Sequence, residues 1–497
     1  MDQASEFFEE STEELASPNP RALSLISYEA ARRLGVLPLK ITADGRLLAV
    51  ALHPEDMLLA DELRALCRMP VDLKRSPVPS LEEAIERAYQ FSGALSRLAE
   101  KNREAPAAES VDHDDDSPAA EIVERIVAQA LRERASDIHI EPDETKMLIR
   151  FRIDGRLITA MEMPFALHAA VTARIKIMAG MDIAKKRVPQ DGRIRRKEGE
   201  RFIDLRVATM PGICGEKTVL RILDREKTAL DLDALGCAPE EAAAIRKLLR
   251  GRSGLILNTG PIGSGKTTTL HAMMRELNLD EFNAITIEDP VEYRIHGATQ
   301  VQVNEKSGLS FAVALRSILR SDMDYLLLGE IRDAETASLA VRAAITGHLI
   351  LATLHCGRAA DAPARLADMG VPPYLLAGAL RGVLSQRLVR RLCPSCRRRD
   401  VASETECRSL GLDPGTAVYR PTGCTQCHGR GYRGRIASFE IMNVTPEIAA
   451  RVARGATAAE VQSLAQTGGM VPLRESLTRL VRDGITSCEE VLSCLGE

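Results

Sequence analysis

Hydrophobic and polar residues alternate with period two along "SDIHIEP" (136–142) and "MLIRFRIDG" (147–155), which predicts strands with one face buried. "RFIDLRVATMPG" (201–212) and "EKTVLRIL" (216–223) continue the pattern, so a helix-then-sheet region is expected from 119 to about 230. Upstream, "LPLKI" and "RLLAVAL" flank Ala43-Asp44-Gly45, a hairpin signal within a small α/β module. Two helical stretches should follow, with a capping box of Ser80 and Glu83 ahead of Ile85 and Ala88. "NREAPAAESVDHDDDSPAAE" (102–121) has no apolar period and reads as a mobile linker. Strand–loop–helix alternation to about residue 390 predicts a doubly wound α/β domain, and amphipathic helices follow a cysteine-rich segment.

A chain of 497 residues, 45% hydrophobic, can bury several cores. Its 66 basic and 70 acidic residues leave a net charge of -4, so no global field draws it to nucleic acid or anionic lipid. The first twenty residues hold six carboxylates and no Lys or Arg, the reverse of a signal peptide. No run of 18 apolar residues is present, so no membrane span is expected. Eleven irregularly placed cysteines suggest a reducing cytosol rather than a disulfide scaffold. With no Trp and 3% aromatics, stacking platforms for single-stranded nucleic acid are scarce.

Candidate chemistry centres on "GPIGSGKTTTLH" (260–271), entered by the strand-like run 255–259 and left by an apolar helix through Met273, Met274 and Leu277. Gly260, Pro261, Ile262, Gly263, Ser264, Gly265, Lys266, Thr267 and Thr268 fit a phosphate cradle for ATP. Lys266 should reach the β and γ phosphates, and the Thr267 hydroxyl should ligate Mg²⁺. "DYLLLGEIRDAET" (324–336) delivers Glu330 to the end of an apolar strand as the Mg²⁺-side acid, while Asp333 and Glu335 suit a helix start. "ITIEDPVEY" (285–293) clusters Glu288, Asp289 and Glu292 beyond a strand, where hydrolysis needs a carboxylate to orient water. "TGHLILATLH" (346–355) puts His348 and His355 at opposite ends of a strand, roughly 20 Å apart. His355, at the carboxyl end, is the better γ-phosphate sensor.

Cys393 and Cys396, then 27 residues, then Cys424 and Cys427 form two CxxC knuckles, a four-thiolate set for a structural Zn²⁺. Gly429, Gly431 and Gly434 suit the tight loop after the second pair, and Cys407 between the knuckles reads as a packing thiol.

"ASDIHIEP", "GPIGSGKTTTL", "IEDPVEY", "GEIRDAETA", "TGHLILATLH" and the double CxxC occur in one order over some 300 residues. Together they resemble the secretion ATPases, most closely those of type II secretion. The resemblance implies an α/β fold with a RecA-like P-loop ATPase domain, preceded by α+β domains and carrying a zinc-binding carboxy-terminal subdomain. It implies an acidic tail (1–19), a partner-binding module (20–95), a linker (96–118) and a PAS-like domain (119–235). The ATPase core (236–390), the tetracysteine module (391–435) and terminal helices (436–497) complete the expected division. It further implies a cytoplasmic homo-hexamer, peripheral at the inner membrane, whose ATP turnover drives pseudopilus assembly. Its platform partners would be the cytoplasmic domain of an L-type bitopic subunit and a polytopic F-type subunit. By the same resemblance Glu292 is the water-orienting acid, Glu330 the Walker B glutamate, and His348 and His355 the histidine box. Arg206 and Arg221 match arginines that reach the nucleotide phosphates.

Departures from the family pattern are Cys356-Gly357 after the second histidine, Met323 where proline is typical, and "GRIASFEIM" (434–442). They bear on tuning of the sensor loop rather than on the acids. A single Arg33-Leu34-Gly35 stands where a doubled motif would bind a cyclic dinucleotide, so that ligand is not expected. The type IV pilus extension ATPases share nearly the same motifs and are the nearest alternative. A zinc-ribbon nucleic-acid translocase is the alternative of another class, suggested by the basic stretches 185–201 and 387–399. Such stretches are more often solvated faces or subunit contacts, and no nucleic acid is expected. A regulatory ATP-binding scaffold without turnover is disfavoured by intact Lys266, Glu292 and Glu330.

Overall fold

A computed structural model describes residues 20–23, 25–42, 44–76, 81–82, 84–85, 88–89, 117–199, 201–224 and 231–496. The acidic tail, Ala43 of the predicted turn, the Ser80 and Glu83 capping box and most of the linker lie outside them. The fold divides into two units, residues 1–224 and 225–497.

In the first unit, strands β1 (Val36–Ile41) and β2 (Leu47–Ala51) form the predicted antiparallel hairpin. Its register shifts between Pro38 and Lys40, where proline has no N–H for the ladder. The helix Met57–Cys67, capped by Asp56 accepting from the Leu58 and Leu59 amides, returns the chain to β3 (Val71–Arg75), parallel to β2. Leu37, Leu47 and Leu63 are fully buried between the layers.

The second sheet of this unit is antiparallel throughout. It comprises β4 (Asp137–Pro142), β5 (Lys146–Ile153), β6 (Arg156–Pro164), β7 (Gln190–Glu198), β8 (Arg201–Gly212) and β9 (Gly215–Asp224). Their order is β6-β5-β4-β9-β8-β7. Strand β5 buries every second residue, and Met147, Ile149, Phe151 and Ile153 face Ile122, Val123 and Ile126 of the helix Pro118–Arg132. That helix begins inside the sequence read as linker, because Ser117 accepts from the Ala120 amide and proline occupies the first turn. Lys176, 1% exposed on the helix His168–Met178, pairs with Glu216 at 2.6 Å and donates to the Lys185 carbonyl at 2.9 Å.

The second unit is built on a seven-stranded sheet. Its strands are β10 (Gly254–Thr259), β11 (Ala284–Glu288), β12 (Ala298–Gln302), β13 (Tyr325–Leu328), β14 (Leu349–Leu354) and β15 (Leu380–Leu392). A two-stranded ribbon, β16 (Arg398–Val401) and β17 (Ala417–Arg420), precedes β18 (Tyr432–Asn443). The main order is β12-β11-β13-β14-β10-β15-β18. Pairing is parallel except for β15 and β18, whose registers join Gly382 to Asn443 and Leu392 to Tyr432. The expected boundary at 390 therefore falls inside a strand. The tetracysteine segment is an excursion between two strands of one sheet, not a module beyond it. The helix after the phosphate loop spans Lys266–Arg275 and includes Met273 and Met274. Leu277, expected within it, follows its end and still packs on the same core. Asn278 and Asp280 compete for backbone there and disfavour another turn. No helix among the described residues is long and apolar enough to cross a membrane.

Lys176→Ala would leave the Glu216 carboxylate buried without its partner, a loss of about 3–5 kcal/mol. Urea unfolding should register it as a lower midpoint for this unit; an unchanged midpoint would refute the pairing's structural weight.

Candidate functional site

The parallel register of the second unit decides where chemistry can occur. Thr259 lies opposite Leu354, Leu328 opposite Ala352, and Ile287 opposite Leu328. The carboxyl ends of β10, β11, β13 and β14 are thus on one edge, where ligands of open α/β sheets bind. Residues 260–267, the acids after Ile287, Glu330 and His355 all leave the sheet there. His348 does not: its carbonyl accepts from the Gly254 amide at 3.0 Å, at the start of β10. Its Nδ1 lies 2.9 Å from the Ala343 carbonyl, where it closes the helix Ala334–Ile345.

Gly260 adopts φ 147°, and a Cβ there would stand 2.5 Å from the Gln386 carbonyl. Only glycine lets the loop pass so close to β15. Asn258 Nδ2 donates to Gln386 Oε1 at 2.8 Å and to the Lys266 carbonyl at 3.3 Å, fixing the helix start against two strands. Lys266 Nζ donates to the carbonyls of Gly260 and Pro261, each at 2.9 Å. Burial lowers the Lys266 pKa; Glu330 opposes the shift and Arg387 adds to it. Loop lysine and strand-end acid therefore share one electrostatic environment. Glu330 also pairs with Arg332 and lies 3.8 Å from His355 Nε2. Asp333 caps the following helix by accepting from the Thr336 amide at 2.8 Å.

The acids after β11 separate by environment. Glu288 is 2% exposed and accepts from His271 Nε2 at 2.8 Å, Thr286 Oγ1 at 2.6 Å and Gln300 Nε2 at 3.1 Å. Burial alone would raise its pKa, but these donors outweigh burial and hold the carboxyl below its ordinary value. Expected among the acids that serve water, Glu288 instead has its lone pairs committed to protein donors. Asp289, exposed and 3.9 Å from Arg332, and half-buried Glu292 are the acids on the open side.

Within the first unit, Arg206 on β8 lies opposite Arg221 on β9, and Arg193 on β7 lies opposite Arg206. All three line a cavity of 430 Å³, with Arg221 held by Asp137 at 2.9 Å. Like charges directly opposite repel, so this row suits an anionic ligand.

The four knuckle thiols converge. Cys393–Cys424, Cys396–Cys427 and Cys424–Cys427 Sγ pairs are each 3.8 Å apart, and all four sulfurs lie within 4.8 Å. A tetrahedron with metal–sulfur bonds of about 2.3 Å has edges of about 3.8 Å, so the set fits Zn²⁺. A disulfide needs sulfurs about 2 Å apart. The amides of Cys424 and Gly431 donate to Cys427 Sγ at 3.1 Å each. Gly431, at φ 73°, is pressed so closely that a Cβ would stand 2.4 Å from Pro421 Cβ. Hydrogen bonding to Cys427 brings the Cys424 thiol down to about 7. Cys407 packs beside the adjoining core, with its sulfur 3.9 Å from the Ala402 carbonyl.

Several residues at these places were not singled out in the sequence. His271 and Arg193 become visible only through pairings that sequence spacing does not encode, and Arg332 reads as an ordinary surface charge. Glu440, 2% exposed, accepts from the Ala359 amide at 2.9 Å and the Leu473 amide at 3.3 Å. It braces the loop after His355.

The sequence model of the Type II/IV secretion system protein family matches residues 112–493, and that of the MshEN domain matches residues 12–95. Type II secretion system protein E of Klebsiella pneumoniae is 40% identical over 489 residues, 96% of this chain and 98% of that protein. The type IV pilus assembly ATPase PilB of Myxococcus xanthus is 40% identical over 491 residues, 95% of this chain and 86% of that protein. A solved structure of the pilus retraction motor PilT with bound ADP is 25% identical with a TM-score of 0.52. It covers 75% of this chain and 96% of its own.

Gly260→Ala forces both a left-handed backbone and a contact with the Gln386 carbonyl, strain of about 1–3 kcal/mol. Fluorescence titration with a non-hydrolysable ATP analogue should show affinity reduced by roughly tenfold or more. Unchanged affinity would remove this loop from the nucleotide site.

Proposed function

Because the chain belongs to the Type II/IV secretion system protein family, we propose that it is the ATPase powering pseudopilus assembly and protein export in a type II secretion system. The observation that carries this reading is the shared sheet edge, where the Glu330 carboxylate lies close enough to act on the Lys266 ammonium. Lys266 positions the β and γ phosphates; Thr267 and Glu330 would hold Mg²⁺, whose charge would offset that of the phosphoryl oxygens. Glu292 orients the attacking water, and His355, beside Glu330, reports the state of the γ-phosphate. Arg206 and Arg221, with Arg193 in the same row, offer fixed guanidinium groups suited to phosphate oxygens.

Identity spread over 98% of the Klebsiella type II protein supports the secretion assignment. The Myxococcus relative favours a second reading, a type IV pilus extension ATPase. Capture of the type II platform's cytoplasmic domain by this chain separates the two. Work on a platform requires subunits acting in concert, so the active form is a hexameric ring in the cytoplasm, held at the inner membrane by its partners. His348 stands at the opposite sheet edge from His355 and serves helix closure within its own subunit. Cys393, Cys396, Cys424 and Cys427 hold one Zn²⁺ with no open position, a structural site.

Glu330→Gln should bind ATP normally and lose most hydrolysis, and wild-type specific activity should rise with protein concentration as the ring forms. Turnover by the Gln variant at the wild-type rate would refute the Mg²⁺ assignment; activity independent of concentration would refute the ring.

Elemental analysis should find one Zn²⁺ per chain, absent from Cys427→Ser, whose 391–435 segment should be cleaved readily by protease. Zinc-free protein prepared without chelator would contradict the site.

A further inference from the structure

His271 sits one turn into the helix Lys266–Arg275, 1% exposed, yet its side chain hydrogen-bonds to none of the loop that helix carries. Its ring reaches sideways to β11, where Nε2 lies 2.8 Å from Glu288 Oε2. A carboxylate only accepts, so Nε2 carries the hydrogen. Glu288 Oε1 accepts from Gln300 Nε2, which also donates to the Tyr293 carbonyl at 2.9 Å. Gln300 Oε1 accepts from the Ile295 amide at 2.9 Å. The His271 ring further meets the Tyr293 ring edge-on, with centroids 6.0 Å apart at 80°. The loop bearing Asp289 and Glu292 is therefore strapped at its start through Glu288 and at its end through Tyr293 and Ile295. Every strap leads back to His271 or to the carboxylate it holds.

We propose that His271 is a positioning residue: through Glu288 and Gln300 it fixes the Asp289–Glu292 loop to the phosphate-binding helix, so the water-side acid keeps its place relative to the bound nucleotide. The inference rests on the reading of Glu292 as the acid that orients water. Nucleotide affinity comes from residues 260–267, to which the His271 side chain makes no hydrogen bond, so the effect belongs to turnover and not to binding. Buried carboxylates that lose a donor stay desolvated and pull their surroundings out of place. A displacement of about 1 Å at a reacting group can cost roughly 100-fold in rate.

The test uses the full chain, with kcat and KM for ATP and direct binding of a non-hydrolysable analogue. His271→Leu, which keeps bulk and removes the donor, should lower kcat by about 10- to 100-fold while KM and analogue affinity move less than about twofold. His271→Gln, which restores an N–H donor, should recover most of that loss. Gln300→Leu cuts the other strap without touching the helix and should reproduce the kcat defect, so a His271→Leu protein that does not fold still leaves the inference exposed to refutation. Glu292→Gln is measured beside them. If it hydrolyses ATP at the wild-type rate, the role of the loop falls and this inference falls with it. If it is inactive while His271→Leu and Gln300→Leu keep wild-type kcat, the positioning role alone is wrong. A loss of analogue affinity matching the loss of kcat would also overturn it, since His271 would then serve the nucleotide loop.

Discussion

Everything at the candidate site depends on β10 lying between β14 and β15 with its parallel register intact. That register puts the carboxyl ends of four strands on one edge, and each loop there carries one of the candidate groups. A slip of one residue would turn every buried side chain of β10 toward the opposite face. Two polar contacts guard against it: Thr259 Oγ1 donates to the Leu384 carbonyl at 3.0 Å, and Asn258 pairs with Gln386. Both are fully buried, so leaving either unpaired would be costly.

The same edge explains why so many charges tolerate proximity. The cations Lys266 and Arg332 are interleaved with the anions Glu330 and Asp289, and all but Lys266 are partly open to water. Glu288 is the exception, ionised in the core because three donors surround it. Its value lies in connection rather than reactivity: it joins the phosphate-binding helix to the strand that delivers the other acids. The cysteine excursion is built on the same logic at a distance. It leaves the sheet after β15 and returns as β18, which supplies Glu440 to the loop following His355. The four-cysteine excursion thus sits between the two strands that steady the loop after His355.

Much of this was legible in the sequence where the signal is local. Period-two alternation marked β4, β5, β8 and β9, and the glycine pattern at 260–265 marked the phosphate loop. The CxxC pairs marked the thiol cluster, because each knuckle is a single turn. What escaped was non-local. His271 and Glu288 meet across 17 residues, and Asn258 and Gln386 across 128. Arg193 joins Arg206 only through strand register. The return of β18 was missed because Tyr432–Asn443 follows a cysteine and glycine cluster that reads as the end of a domain. Leu277 fell outside its helix because Asn278 and Asp280 compete with the helical backbone, a weak signal beside a strong apolar period.

The central claim is that the nucleotide's phosphates lie on the edge shared by residues 260–267 and Glu330. The most direct measurement is a crystal structure of the full chain with Mg²⁺ and a non-hydrolysable ATP analogue. The account predicts the β and γ phosphates against the amides of 263–267, with the cation about 2.1 Å from Thr267 Oγ1 and on the side facing Glu330. Phosphates bound at another place, with residues 260–267 and Glu330 untouched, would contradict it.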